Sequence, residues 1–240
     1  MAKSNNNCIR LNKAMSTLGM CSRRDADRMI ASGIVSVNGK AVTELGSKVT
    51  YGDAIICSGV SYTLDNKCAN RVWIYYKPVG LITSHRDPQN RATVFDDIAT
   101  KVNERIISIG RLDINSEGLL LLTNSGEYAR RAELPSTALK RRYRARIFGS
   151  LNNDIVSQLA IGATIHGIKY TPVKIEPVRG SSGKNSWVEC ILTEGKNREI
   201  RKLFSHFGIS VNRLIRTQYG PYAIGNLKPG EIREVKCLHI

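Results

Sequence analysis

The sequence predicts an α+β protein of two domains, a small one at the N-terminus and a larger one after it. Residues 9–59 contain two short helical patterns followed by a hairpin signal. A polar stretch of low apolar content, residues 61–71, follows. After it, apolar runs typical of strands alternate with amphipathic segments. We therefore place domains at residues 1–60 and 72–240, with residues 61–71 as the linker.

The small domain is predicted to begin with two helices. The first has apolar side chains at i, i+3, i+4 and i+7, and Gly19 ends it. Ser22 caps the second helix, and Gly33 stops it. Asn38-Gly39 then predicts a tight hairpin, because both turn positions of such a hairpin require a positive φ.

The charge of the chain favours a polyanionic partner. The sequence has 36 Lys and Arg against 20 Asp and Glu, a net charge of +16 that is spread along the chain. Such a surface fits a large RNA, although a basic protein without a nucleic-acid role stays an alternative. In the small domain the candidate RNA contacts are basic residues on or near the second helix, each of which could also be merely solvated: Arg10, Lys13, Arg23, Arg24, Arg28 and Lys40.

The large domain is organised around residues 110–124. An arginine and a carboxylate, Arg111 and Asp113, lie in a polar loop between the apolar runs 106–109 and 119–122. This pattern predicts strand, loop and buried strand, and groups on such a loop are held accurately. Asp113 is the first candidate for chemistry, and a structural ion pair between Arg111 and Asp113 is the competing interpretation.

Two later segments add candidates. In the strand-like run 140–147, alternation turns Tyr143 inward and Arg142 outward, although most buried tyrosines only fill a core. Residues 194–208 predict an amphipathic helix with Asn197 as a possible cap. At about 100° per residue, Arg201 falls at the edge of the apolar stripe and can reach a buried anion. Arg198 and Lys202 fall behind it, where phosphate is the better partner.

Other features bound the class of protein. The six cysteines form no CxxC pair and no cluster with histidine, so neither a zinc site nor a disulfide framework is indicated. The N-terminus lacks an apolar signal core, and no apolar run approaches membrane-spanning length. We expect a cytoplasmic protein that does not bind membranes, with no metal and no cofactor.

Together these motifs resemble a known enzyme family. Residues 10–13, 19–26 and 35–40 closely resemble the S4 RNA-binding domain. The segments 76–80, 110–124, 140–143 and 194–208 resemble the RsuA/RluB/RluE/RluF family of S4-domain-containing rRNA pseudouridine synthases, in the family's order. The resemblance implies an S4 (αL-type) domain, then a catalytic domain with a mixed, mostly antiparallel sheet and flanking helices. Residues 211–221 look most like the RluB branch.

The resemblance also implies roles for residues. Asp113 matches the catalytic aspartate, as nucleophile or base, and Arg111 matches the arginine linked to extruding the target nucleotide. Tyr143 matches the tyrosine that stacks near the uracil, and Arg201 matches the basic residue that pairs with the aspartate. Lys77 and Pro78 match a motif thought to support the shape of the site, and Leu203 an apolar position of the pocket. Outside the small domain we expect RNA contacts from Arg111, Lys77, Arg142, Arg198 and Lys202.

The implied substrate is a uridine in ribosomal RNA, from 23S rRNA or an assembling large subunit, bound by a monomer. The same reaction on 16S rRNA is an alternative. An rRNA-binding assembly factor without catalysis is a second class, and it predicts that Asp113 could be neutralised without loss of the biological effect. A metal-dependent nuclease would require carboxylate clusters, which the sequence lacks.

Overall fold

The computed structural model describes residues 8–65, 69–181 and 183–240. The chain divides into two compact units on either side of the bond between Asn70 and Arg71, and each unit has a core of its own. Within the described ranges, every helix is too short or too polar to span a membrane.

The first unit places two helices against short strands. Ser22 caps the second helix as predicted, because its Oγ accepts from the backbone N–H of Asp25 at 3.1 Å. Strands pair in the order β3-β2-β5-β6, and β1 pairs with β4. The elements are β1 Cys8–Arg10, α1 Leu11–Thr17, α2 Arg23–Ala31, β2 Val35–Val37, β3 Lys40–Ala41, β4 Lys48–Thr50, β5 Ala54–Cys57 and β6 Val60–Thr63.

The predicted linker begins too early. Residues Val60–Thr63 form a strand that pairs with β5, and Leu64 is only 1% exposed in the core of the first unit. Ser58 and Gly59 have φ of +50° and +80°, which allows the tight turn that brings β6 back onto β5. Residues 60–64 therefore belong to the small domain, and residues 66–68 of the predicted linker lie outside the described residues.

The second unit is built on one large sheet. The elements are β7 Val72–Lys77, α3 Val94–Ile98, β8 Ile107–Ile109, β9 Glu117–Thr123, α4 Gly126–Glu133, β10 Arg141–Phe148, α5 Asn153–Ile161, β11 Ala163–Ile165, β12 Ile168–Tyr170, β13 Lys174–Pro177, β14 Asn185–Leu192, α6 Glu199–His206, β15 Ser210–Tyr219, β16 Tyr222–Ala223 and β17 Ile232–Val235. Its strand order is β13-β14-β10-β15-β9-β7-β17, with β8 on β9 and β16 on β15, while β11 and β12 form a separate hairpin. The pairing of β15 with β9 is parallel and the other described pairings are antiparallel. The prediction of a mixed, mostly antiparallel sheet with flanking helices is confirmed.

The two faces of this sheet are covered differently. One face packs along its length against apolar side chains of α3, α5 and α6, which form a continuous core with Tyr75, Leu120 and Ala145. On the opposite face, α4 and the C-terminal segment cover the part of the sheet formed by β7 and β9. Beyond that, on the outer side of β10, Arg144, Arg146 and Phe148 are exposed. The internal strand β9 is buried throughout.

Gly118 allows the two halves of the sheet to meet. A Cβ built at this position would lie 2.3 Å from the carbonyl oxygen of Arg216 on β15, and its φ is +101°. No side chain fits so close to a neighbouring backbone, and few residues adopt this φ. Gly118 therefore permits the parallel pairing that places β15 beside the loop before β9.

Candidate active site

The loop that carries Asp113 connects β8 to β9 and is fixed by hydrogen bonds. The Oγ1 of Thr83 donates to the carbonyl of Leu112 at 3.0 Å and accepts from its N–H at 3.3 Å. The N–H of Gly80 donates to the carbonyl of Ile114 at 2.9 Å. Asp113 lies between these anchored residues, so its backbone has little freedom.

Lys77 holds the end of the same loop through hydrogen bonds to backbone carbonyls. The side chain is fully buried, and its Nζ donates to the carbonyls of Ser116 at 2.9 Å and Pro78 at 3.0 Å. Burial lowers the pKa of Lys77 to about 8, while the nearby carboxylates of Asp113 and Glu117 act in the opposite direction. The prediction that Lys77 contacts RNA is wrong, because a fully buried ammonium bonded to backbone carbonyls cannot reach phosphate.

Arg201 also holds the loop, but it does not pair with Asp113. Its guanidinium donates to the carbonyl of Asn115 at 2.8 Å and to the carbonyl of Val211. The expected Arg201–Asp113 ion pair is therefore corrected: Arg201 is committed to two carbonyls. It ties α6 and β15 to the residue two places after Asp113.

Arg198 forms the ion pair that was expected of Arg201. Its Nη1 lies 3.9 Å from Oδ2 of Asp113, a loose pair between partly exposed side chains. Arg198 occupies the N-cap of α6 with φ of +52°, and α6 has no side-chain cap, so the prediction of Asn197 as the cap is wrong. Because of this left-handed conformation, Arg198 does not follow the helical pattern, which had predicted a position behind the apolar stripe of the helix. The alternative pair between Arg111 and Asp113 does not form in the described part of the chain.

Tyr143 forms part of the pocket wall. It lies on β10, is 9% exposed and packs on the core, while the neighbouring Arg142 faces the other way. Arg142 donates to Glu189 at 2.7 Å across the sheet. The alternation predicted for this strand is confirmed by the burial of Tyr143.

These groups surround a pocket of about 840 Å³. Its lining includes Asp113, Arg111, Tyr143 and Arg198, and that volume is within the range of about 300–1,000 Å³ typical of small-molecule sites. The apolar lining includes Ile200 and Leu214. Leu203 packs instead in the core at 2% exposure, and among the described residues neither it nor Pro78 lines the pocket. The expectation of Leu203 and Pro78 as pocket residues is therefore wrong.

Two buried arginines of the pocket were missed by the sequence reasoning. Arg216 is 2% exposed, and its Nε donates to the carbonyl of Leu119 at 2.7 Å, while its Nη2 has no partner among the described residues. Arg141 donates from Nη2 to the hydroxyl of Tyr219 at 2.9 Å. Both guanidiniums lie over the ring of Tyr219, at 5.2 and 4.7 Å. Residues two apart on a strand share a face, so the signal that could have found them was the position of Arg216 two residues after Leu214 and of Arg141 two residues before Tyr143.

A pair of carboxylates lies on the same wall. Glu199 is 4% exposed, and its Oε2 accepts from the N–H of Lys196 at 2.8 Å. Its Oε1 has no partner among the residues the structure describes. Burial and the neighbouring Glu194 raise the pKa of Glu199, whereas Lys196 and the N–H of Thr171 help to lower the pKa of Glu194. One negative charge is thus held mainly by Glu194.

The remaining predicted RNA contacts lie on the surface. Arg111 and Lys202 are exposed, and Lys202 donates to Asn197 at 3.4 Å. Arg28 pairs with Asp25 on α2. Their binding to RNA stays a prediction, as does that of the exposed basic residues of the first unit: Arg10, Lys13, Arg23, Arg24, Arg28 and Lys40.

Across residues 8–65, 69–181 and 183–240, no three His, Cys, Asp or Glu side chains lie close enough together to hold a metal ion. Four of the cysteines that the structure describes carry free thiols: Cys8, Cys57, Cys190 and Cys237.

Comparison with known proteins gives the family. The RNA pseudouridylate synthase family model matches residues 71–206, and the S4 domain model matches residues 9–55. An uncharacterized RNA pseudouridine synthase of Rickettsia bellii is 52% identical over 226 residues, which is 94% of this chain and 96% of that protein. The ribosomal large subunit pseudouridine synthase B of Haemophilus influenzae is 39% identical over 227 residues, 88% of this chain and 60% of that longer protein. A crystal structure of a pseudouridylate synthase superposes with a TM-score of 0.64 at 22% identity, covering 95% of this chain and 96% of its own, and so shares the fold.

The chain therefore belongs to the RNA pseudouridylate synthase family, in the RsuA/RluB group that carries an S4 domain. It is an RNA pseudouridine synthase, and the predictions of the family and the enzyme class are confirmed.

Proposed function

We propose that this enzyme isomerises a uridine of 23S ribosomal RNA, with Asp113 acting as nucleophile or base on a flipped-out nucleotide. The observation that carries the proposal is the anchored Asp113 loop at a nucleotide-sized pocket, with Tyr143 on the same wall. The choice of 23S rRNA rests on the relatives of 37–39% identity that are named ribosomal large subunit pseudouridine synthase B.

The reaction is an isomerisation, so it depends on the positions of the reacting groups and consumes no second reagent. The bond from C1′ to N1 of uracil breaks, the base turns, and a bond from C1′ to C5 forms. The proton on C5 leaves and N1 gains one, so atoms and electrons balance without an oxidant. A carboxylate near C1′ or C2′ can attack the sugar or remove a proton, and Arg198 directs the carboxylate of Asp113.

The other pocket residues have distinct roles in this proposal. Tyr143 packs against the uracil and helps to take the proton from C5. Arg111, exposed at the pocket edge, fills the space that the extruded nucleotide leaves in the RNA. Because a base inside a helix is inaccessible, the nucleotide must leave its stack before the sugar reaches Asp113. Arg201 acts through Asn115 as a positioning residue.

The S4 unit adds RNA affinity through its exposed basic residues, and the enzyme works as a monomer in the cytoplasm on free 23S rRNA or an assembling large subunit. The net charge of +16 supports a large RNA as the substrate.

Tritium release from unmodified 23S and 16S transcripts labelled at uridine C5 tests the proposal. Asp113→Asn should lower the rate by at least about three orders of magnitude, because the amide can neither attack nor accept a proton in the same way. Binding of RNA should change less than about twofold, since the basic surface is intact. Asp154→Asn makes the same chemical change at an exposed position on α5 and should keep wild-type activity.

Each outcome separates parts of the proposal. Release from 23S alone, lost in Asp113→Asn, would support the substrate and the carboxylate together. Release from 16S alone would contradict 23S rRNA as the substrate and would leave the proposed role of Asp113 unaffected. Full activity of Asp113→Asn would overturn that role.

A further inference from the structure

The outer side of β10 and its neighbours is an open sheet face that the active site does not use. Paired strands place side chains on a common face, so Arg144 lies beside Glu189 of β14, and Arg146 beside Trp187 of β14 and Arg213 of β15. Arg144, Arg146 and Phe148 are all exposed. We call this surface the outer face, defined by Arg142, Arg144, Arg146, Phe148, Trp187 and Arg213.

Two arginines of the outer face are free to bind an anion. Arg142 and Arg213 are engaged with Glu189 and Glu117. Within the part of the chain that the structure describes, neither Arg144 nor Arg146 pairs with a carboxylate. Arg144 lies 5.3 Å from the centre of the Trp187 ring, and Arg146 donates to Oδ1 of Asn185 at 3.0 Å. Their guanidiniums are thus held in place without a direct ion pair.

Aromatic surface accompanies this charge. Phe148 is 54% exposed, at the end of the row formed by Arg144 and Arg146. Other apolar side chains of this protein are exposed as well, and Phe148 differs from the aliphatic ones in offering an aromatic ring beside guanidiniums. Aromatic rings on a basic sheet stack with unpaired bases, and the arginines bind the phosphates between them.

We propose that the outer face is a second RNA-binding surface, which binds a strand of the substrate away from the nucleotide in the pocket. The side chains of Arg142 and Tyr143 point to opposite faces of β10, so the outer face and the pocket are on opposite sides of one strand. In the sheet, β14 and β13 lie between β10 and the nearer edge, so a strand that leaves the pocket reaches the outer face by passing around that edge. The proposal requires an RNA substrate, which the family supplies, and not the choice of 23S rRNA.

Filter-binding titrations from 50 to 400 mM salt test the proposal, with unmodified 23S and 16S transcripts and the Asp113→Asn protein, so that no turnover intervenes. The outer-face variant is Arg144→Gln with Arg146→Gln. The matched control, Arg233→Gln with Lys236→Gln, removes the same charge from exposed positions on and next to the edge strand β17. Circular dichroism establishes that both proteins are folded.

Loss of two phosphate contacts to a single strand should reduce the slope of log K against log salt by about 1.4. At 0.1 M salt the same loss weakens binding about 25-fold. The control should change the slope by less than half as much. Phe148→Ser should weaken binding about fivefold or more with an unchanged slope, because stacking releases no counterions.

The proposal would be overturned if the outer-face variant and the control gave equal slopes. It would also be overturned if the outer-face variant and Phe148→Ser both bound both transcripts with wild-type affinity. A partner other than RNA would then remain for this surface. If both transcripts bind through the outer face but neither is modified by the active enzyme, the choice of ribosomal RNA as substrate fails and the binding surface stands.

Discussion

Replacing Lys77 by Met should change how the stability of the second unit depends on pH. Burial lowers the pKa of Lys77 from its ordinary value of 10.5 to about 8. Between these values the unfolded chain binds more protons than the folded one, so the wild type gains stability as the pH rises. Methionine has a similar length and does not titrate.

The magnitude follows from the two pKa values. A separation of roughly 2.5 pKa units corresponds to about 3.5 kcal/mol in all, because each unit is worth about 1.4 kcal/mol, and most of this change falls between pH 7 and pH 10.5. The free energy of unfolding of the wild type minus that of Lys77→Met should therefore rise by about 3 kcal/mol between about pH 7 and pH 10.5. Subtracting the variant removes the titration of the other groups that the two proteins share.

Urea unfolding followed by tryptophan fluorescence measures this difference. Both tryptophans of the chain, Trp73 and Trp187, lie in the second unit, so the signal reports on that unit alone. Lys228→Met is the control, since Lys228 is exposed and its replacement should give a flat difference. A flat or falling difference for Lys77→Met would refute a buried, charged Lys77 beneath the loop.

Three other predictions concern the pocket and the sheet. Gly118→Ala should lower the free energy of unfolding, measured in urea, by about 3 kcal/mol or more, because the added Cβ meets a backbone oxygen. The control Gly230→Ala should cost less, since nothing lies within 4 Å of its Cβ. Equal losses would contradict the close approach at Gly118. Arg216→Lys should lower kcat in tritium release about tenfold or more and leave KM for RNA within about twofold. The reason is that a lysine cannot donate to the carbonyl of Leu119 and also offer a fixed second donor to the pocket. An unchanged kcat would exclude a role of Arg216 in positioning. The folded protein favours protonated Glu199, whose pKa is raised by burial, so the stability that Glu199 contributes is lost as the pH rises through that raised value. Glu199→Gln should therefore gain in unfolding free energy relative to the wild type as the pH increases from 5 to 8, and a constant difference in urea titrations would refute the raised pKa.

Local patterns predicted much of the fold because they depend on neighbouring residues. The helix that Ser22 was predicted to cap is α2 Arg23–Ala31, and the apolar runs around Asp113 are β8 and β9. The inward turn of Tyr143 follows from the alternation of a strand. The S4 and synthase motifs gave the family, since their spacing is specific to it.

The contacts of long basic side chains could not be predicted in the same way. A helical wheel assumes helical φ for every position, and Arg198 has a left-handed φ at the start of α6. Lys77 and Arg201 are held by carbonyls distant in sequence, at Ser116 and Asn115. Their partners depend on how the strands pair and not on local periodicity.

The parallel pairing of β9 with β15 also determines when the enzyme becomes competent as it is synthesised. Among the described strands, this pairing joins β7–β9 to β10, and its partners are about 100 residues apart in sequence. Contacts between distant residues form late, because closing the intervening chain costs entropy first. A nascent chain that has exposed residues 1–205 contains Asp113, Tyr143 and Arg198 but lacks β15, the strand that brings them together. The S4 unit is complete long before that, so under the proposed function the growing protein could bind RNA before it could modify it.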